Sequence, residues 1–265
     1  MRRHYSKQSF IKAGSIQNLP VKVKYLFVVS MFVIILLAAQ SVRAANMLEP
    51  VSATNLETQS LSTDIGHSAI HALEEFQAAV KAFKDRDYYQ AERYLLPLAE
   101  GGYKDAQFIL GMLYDAASND RHKAVIWYIK AAQKGHSEAQ HNLGMAYARG
   151  HGIKGDIKQA LKWWQAAAEQ GNSDSQYNLG IVYATGVPGV EQNFSQAKRW
   201  WHLAASSGDA MAQYNLGAMY ANGVAGKQNL CEAAHWWSLS QENGFSQANE
   251  ALNNLIQVVD VGRCQ

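Results

Sequence analysis

The chain has 265 residues, 48% of them hydrophobic and 17% charged, with 20 glycines and four prolines. That composition excludes a fibrous or largely disordered protein and supplies one globular unit with appendages. The formal charge of +2 hides an asymmetry, because Met1–Ala44 holds seven Lys or Arg and no acid, leaving 17 basic and 22 acidic residues for the rest; so acidic a remainder excludes the strongly basic profile of a nucleic-acid binder or of a domain held on an anionic membrane.

The first 44 residues run from a basic stretch into an apolar run of 15 residues, Tyr25–Ala39, and then "SVRAAN", with Val42 and Ala44 at positions −3 and −1 of a cleavage site. This order is that of a secretory signal, and it predicts a mature chain beginning at Ala45. An uncleaved signal anchor is the alternative, since extending the run to Val42 gives 18 residues, the lower limit of a membrane span. On both readings the chain after residue 44 is exported, periplasmic or secreted, and any membrane contact is through this segment alone. Residues 45–67 are polar, aperiodic and rich in Ser and Thr, and are expected to form a flexible linker, or else an ordered extension along the domain that follows.

Four stretches then repeat one another: "AQFILGMLYDAA" (106–117), "AQHNLGMAYARG" (139–150), "SQYNLGIVYATG" (175–186) and "AQYNLGAMYANG" (212–223). Their leucines, Leu110, Leu143, Leu179 and Leu216, are 33, 36 and 37 residues apart, a period that marks a solenoid. Apolar positions three and four apart predict a helix A in each, although a glycine in mid-helix costs about 1 kcal/mol against alanine. Each stretch is followed by a second amphipathic half: "KAVIWYIKAAQKG", "QALKWWQAAAEQG", "QAKRWWHLAASSG" and "EAAHWWSLSQENG", closing at Gly135, Gly171, Gly208 and Gly244. These read as helices B, each ended by a glycine where a left-handed residue is wanted. The glycine of helix A is then a contact point for helix B, and the first aromatic of each pair, Trp163 or Trp200, is expected to press on it, leaving only the second open to solvent. An exposed row of such rings would suit a carbohydrate; packing is the simpler reading.

The pattern "AQYNLGxxYxxG" followed by "AxxWWxxAAxxG" resembles the Sel-one-like repeat (SLR), a relative of the tetratricopeptide repeat, over four units within residues 103–244. The resemblance implies an all-α fold, a right-handed α-solenoid superhelix of about five helix-turn-helix pairs. On that resemblance, residues 68–102 form an N-terminal helix pair and 245–265 a C-terminal cap helix and tail. The first unit departs from the family in "YDAASNDRHKA", which lacks loop glycines, and the fourth in Ser240 and Gln241, as suits a unit near an exposed end.

No catalytic constellation accompanies the repeats. "GVAGKQN" (223–229) resembles the end of a phosphate loop, but Gln228 stands where Ser or Thr would hold magnesium, so it reads as an A-to-B connection. His67 and His71 lie at i, i+4 without a third ligand nearby in sequence, His202 and His235 show no ligand spacing, and G-x-S-x-G, H-E-x-x-H and C-x-x-C are absent. No cofactor or metal is expected. The resemblance implies a non-enzymatic scaffold or regulatory adaptor in the bacterial envelope that binds a protein or peptide. Two other readings are a structural tether and a β-lactam-binding or hydrolysing enzyme, as associated with cysteine-rich relatives; this chain lacks their paired cysteines and any Ser-x-x-Lys.

In tetratricopeptide-like arrays the A helices line the inner face, and the residues two and one before the repeated leucine are expected to point away from helix B. These are Phe108, His141, Tyr177 and Tyr214, and Ile109, Asn142, Asn178 and Asn215, a ladder of rings beside a ladder of amides suited to an extended peptide. The alternative is that rings and amides pack between adjacent repeats. Cys231 opens the last helix B and Cys264 follows the cap, so a disulfide between them would pin the cap to the array; two separate thiols are the alternative.

Overall fold

The computed structural model describes residues 63–116 and 120–257, with side chains described from residue 71 onward. Leader, linker through residue 62, loop 117–119 and Cys264 lie outside the described residues. Among the described residues eleven helices follow one another: α1 (Thr63–Lys84), α2 (Tyr88–Glu100), α3 (Lys104–Ala116), α4 (Arg121–Gln133), α5 (Ser137–Arg149), α6 (Ile157–Glu169), α7 (Ser173–Thr185), α8 (Phe194–Ser206), α9 (Ala210–Asn222), α10 (Leu230–Glu242) and α11 (Gln247–Ile256). Among the described residues there is no strand beyond a single bridge between Val187 and Val190. Each helix packs on its neighbours in sequence, so α3, α5, α7 and α9 are the A helices, α4, α6, α8 and α10 the B helices, α1–α2 the opening pair and α11 the cap. One boundary differs from expectation: α1 begins at Thr63, inside the segment read as linker. Ile65, Ala69, Ala72 and Phe76 already follow helical spacing there, and Asp64 stands in a first turn, where an acid favours a helix start.

α2 through α10 are all 13 residues long, and their ends are written in the sequence. Asp87, Asp120, Asp156, Asn172, Asn193, Asp209 and Asn229 accept a backbone N–H from the first turn of the helix each precedes, as N-caps do. At the other end Gly135, Gly171, Gly208 and Gly244 take φ of 80°, 90°, 89° and 88°, the left-handed region in which glycine is unstrained.

The mid-helix glycine is a point of contact, with a correction to which ring makes it. A Cβ built on Gly111 would stand 2.6 Å from the Tyr128 ring, and one on Gly144 2.5 Å from Trp164. At Gly180 and Gly217 the rings of Trp201 and Trp237 are closer still. The second aromatic of each pair, not the first, lies on the glycine. Trp163, the first of its pair, is half-buried. Trp201 and Trp237 also donate their indole N–H to the backbone oxygens of Tyr177 and Tyr214, at 3.2 and 3.1 Å, a bond that only the ring nearer helix A can make. Ser240 likewise differs from expectation: it is fully buried, and its hydroxyl donates to the Ala210 carbonyl at 2.6 Å.

Successive repeats are joined by a device that pattern reading left without a role. The glutamines of the repeated "AQ" or "SQ", Gln107, Gln140, Gln176 and Gln213, each donate Nε2 to a carbonyl in the last turn of the preceding helix, that of Ala99, Ala132, Ala168 or Ala205, at 2.8 to 3.1 Å. Each of these carbonyls also accepts the N–H of the glycine just past its helix, Gly102, Gly135, Gly171 or Gly208, so the glutamine takes the second acceptor position and ties helix A to the repeat before. In two repeats the glutamine oxygen is satisfied as well: Gln170 donates to Gln140 at 2.7 Å and Asn243 to Gln213 at 3.0 Å. In the third, the equivalent of Gln170 is Ser207, which bonds back to Leu203, and Gln176 Oε1 is buried without a partner. Ser207→Asn supplies the donor found in the last repeat. It is expected to stabilise the protein by about 1 kcal/mol, read as a shift of the urea midpoint at unchanged slope; no shift or a loss would contradict this account of the joint.

Candidate partner-binding face

The sequence-predicted ladder is brought together in space, but its ring row faces the joint between repeats more than solvent. Tyr177 is 3% exposed and His141 8%. His141 Nδ1 lies 2.9 Å from the hydroxyl of Ser175 in the next repeat, where the other three repeats carry alanine. Phe108 stacks on His136 with centroids 4.4 Å apart, and Tyr214 packs against Phe245 at 5.1 Å beneath the cap. Burial pushes the Tyr177 phenol far above its ordinary range, consistent with a hydroxyl out of contact with water. Of the second row, Ile109, Asn178 and Asn215 are buried and Asn142 is half-buried; Asn178 reaches Met145 Sδ of the preceding repeat at 3.3 Å.

The face that remains open follows from helix geometry. With Gly144 turned toward helix B and 100° per residue, Glu138, Asn142, Met145 and Arg149 fall on the far side of α5, and each is half-buried or exposed. Asp105 and Met112 on α3, Asp174 and Ile181 on α7, and Met211 and Ala218 on α9 hold the matching positions and are likewise half-buried. The outward strip is therefore a row of Met112, Met145, Ile181 and Ala218 flanked by acids at Asp105, Glu138 and Asp174. Sequence reasoning missed it by one helical step. The signal was present as the acid in the first turn of three successive A helices, followed seven residues on by Met, Met and Ile.

Among the described residues no group of three or more His, Cys, Asp or Glu is gathered as a metal site. His71 is exposed and lies 3.6 Å from Glu75, while His202 and His235 both meet the Trp236 ring edge to face at 5.3 Å. The segment 223–229 is the connection between α9 and α10, with Asn229 capping α10. No described helix is long and apolar enough to cross a membrane.

Stacked helix pairs of near-constant length, joined by one repeated hydrogen bond, define an α-solenoid repeat protein. The Sel1 repeat profile matches residues 104–136, 137–172, 173–209 and 210–245, and the chain belongs to this family, the SLR proteins. It is similar to c5321 of uropathogenic Escherichia coli, a protective antigen with an SLR fold, at 31% identity and a TM-score of 0.67 over 74% of this chain. The match spans 44% of that antigen, less than half its length. It is also similar to a Sel1 repeat protein from Oxalobacter formigenes, at 30% identity and a TM-score of 0.63, over 68% of this chain and 72% of that one. No curated protein matches the chain.

Proposed function

We propose that the protein is an exported, non-enzymatic scaffold of the bacterial envelope that holds a protein or peptide segment along the outward face of its A helices. The observation that carries this reading is the strip just described: Met and Ile side chains recur in register across three repeats beside a recurring carboxylate. Flexible apolar side chains accommodate varied partner surfaces, and regularly spaced contacts suit an extended segment. Phe108, Asn142 and Tyr214 border this strip, whereas His141, Tyr177, Asn178 and Asn215 support it from the joints. The Cys231–Cys264 bridge belongs to the same reading, as the clamp that holds the cap closed in an oxidising compartment.

The test is site-specific photo-crosslinking in living cells, with the reactive group at Met145 or Ile181 on the strip and at Gln165 on helix B as control. A discrete adduct formed at Met145 and Ile181 but not at Gln165, its partner identified by mass spectrometry and then titrated against Met145→Asp, is the expected result. Adducts at Gln165 alone would remove the A-helix face from the function.

A further inference from the structure

In the first three repeats the charges are sorted between helices A and B, whereas α10 of the fourth carries Glu232 and Glu242 and no Lys or Arg. Helices α4, α6 and α8 together carry seven Lys or Arg and one acid, Glu169, whereas α3, α5 and α7 carry two basic and four acidic residues. The net acidity of the chain after residue 44, which taken as a whole argues against contact with an anionic membrane beyond the leader, conceals this segregation, and the local distribution overrides it. Arg121 and Lys123 lie within 4 Å of Asp115 and Asp120; Lys130, Lys158, Lys162, Lys198 and Arg199 have no carboxylate within that distance among the described residues. Three of these cations lie over the first aromatic of their own helix: Lys130 at 3.8 Å from the Trp127 ring, Lys162 at 5.7 Å from Trp163 and Arg199 at 5.4 Å from Trp200. Aligned on those tryptophans, Ile126, Lys162 and Arg199 form one row, and Lys130, Ala166 and Leu203 the next. Ile126 and Leu203 are large apolar residues left 41% and 42% exposed. At the α8 end a shallow cleft of about 470 Å³ is lined by Ser195, Lys198, Arg199, His202, Leu203 and Ala225. Ala225 is held at a φ of 57°, a conformation a non-glycine residue adopts at a cost.

We infer that the outer face of helices B in the first three repeats docks on an anionic lipid bilayer, with headgroup phosphates met by Lys130, Lys158, Lys162 and Arg199 and the acyl boundary by Ile126 and Leu203; Lys198 lies instead over the Tyr220 ring of α9 at 3.9 Å. Long cationic side chains whose stems lie on largely buried rings, beside two exposed aliphatic side chains, match the interfacial layer of a membrane. A soluble polyanion would use the cations and leave the two aliphatic side chains in water. Spreading the charge over three parallel helices also suits a plane better than a single bound strand. This face is separate from the A-helix strip, so the inference stands independently of the partner proposed above.

The experiment is lysine-acetylation footprinting of the full chain, purified from the envelope, on vesicles of 40% phosphatidylglycerol in phosphatidylcholine and on pure phosphatidylcholine. Lys130, Lys158 and Lys162 are expected to react several-fold more slowly on the anionic vesicles only, with protection lost at high salt, while Lys81 on α1 is unchanged. Lys162→Glu/Arg199→Glu, at exposed positions that leave helicity intact, should weaken vesicle partitioning on the order of 30-fold. Absent protection, protection equal on neutral vesicles, or unchanged partitioning of the variant would each overturn the inference. Equal protection by soluble polyphosphate or polyglutamate would overturn it in favour of a soluble polyanion.

Discussion

Gly180→Leu is expected to lower unfolding free energy by about 3 kcal/mol, and Gly180→Ala by about 1 to 2 kcal/mol, although on helix propensity alone the alanine should stabilise by about 1 kcal/mol. The reason is the indole of Trp201. A Cβ at position 180 would fall inside contact distance of its Cδ1, Nε1 and Cε2 atoms, and the ring has little freedom to retreat, because it is buried and its N–H is bonded to the Tyr177 carbonyl. Relief requires α8 to move away from α7, which opens the interior of the repeat. Denaturant melts of the two variants and of Gly180→Ala/Trp201→Phe check this account. The double variant should recover part of the loss, and a stabilising Gly180→Ala would refute it.

Acidification is expected to weaken the fold selectively at the second repeat. His136 stands where the next two A helices are capped by Asn172 and Asp209, and its Nδ1 accepts the Ala139 N–H at 3.3 Å, which requires that nitrogen to be unprotonated. Burial, with some help from Lys104, holds its pKa below the ordinary 6.5, against the opposing pull of Glu138 and Asp105. His141 is lowered too, by burial foremost and slightly by Arg149, with Asp174 and Glu138 opposing. For both groups the folded pKa lies below the unfolded one, so the unfolded chain binds more protons once the pH drops under about 6.5. Their stabilisation is full above that value and is lost as the pH falls toward the folded values, with a slope of at most about 2.7 kcal/mol per pH unit if both titrate together. His136→Asn/His141→Tyr, the residues of the third repeat, removes both titrations. Denaturant melts at pH 7.5, 6 and 5 should show the native protein losing stability faster than this variant; parallel profiles would exclude the two histidines as the cause.

Most of the architecture was legible in the sequence because it is written four times. The spacing of Leu110, Leu143, Leu179 and Leu216 marks the period and the closing glycines mark the ends of helices B, whereas the Asp and Asn caps emerge only in the structure. What sequence could not give was the azimuth of each helix to within one residue. Trp163 and Trp164 are adjacent and chemically identical, so only the packed structure tells which touches Gly144. The same uncertainty of about 100° turned the predicted ring row of His141 and Tyr177 into the joint and left Met145 and Ile181 as the open strip. The glutamine device was visible as a recurring letter, but its partner is a backbone carbonyl eight residues upstream, and backbone atoms leave no trace in a side-chain pattern.

The glutamine-to-carbonyl joint is the same at the four boundaries that precede α3, α5, α7 and α9, which makes the repeats interchangeable parts: duplication or excision of one unit would leave the bond from each glutamine to an alanine carbonyl intact. The His141–Ser175 contact breaks that equivalence. Only the third repeat brings a hydroxyl to meet the buried imidazole of the second, so these two units are keyed to each other, while the remaining boundaries leave the array free to lengthen or shorten over evolutionary time.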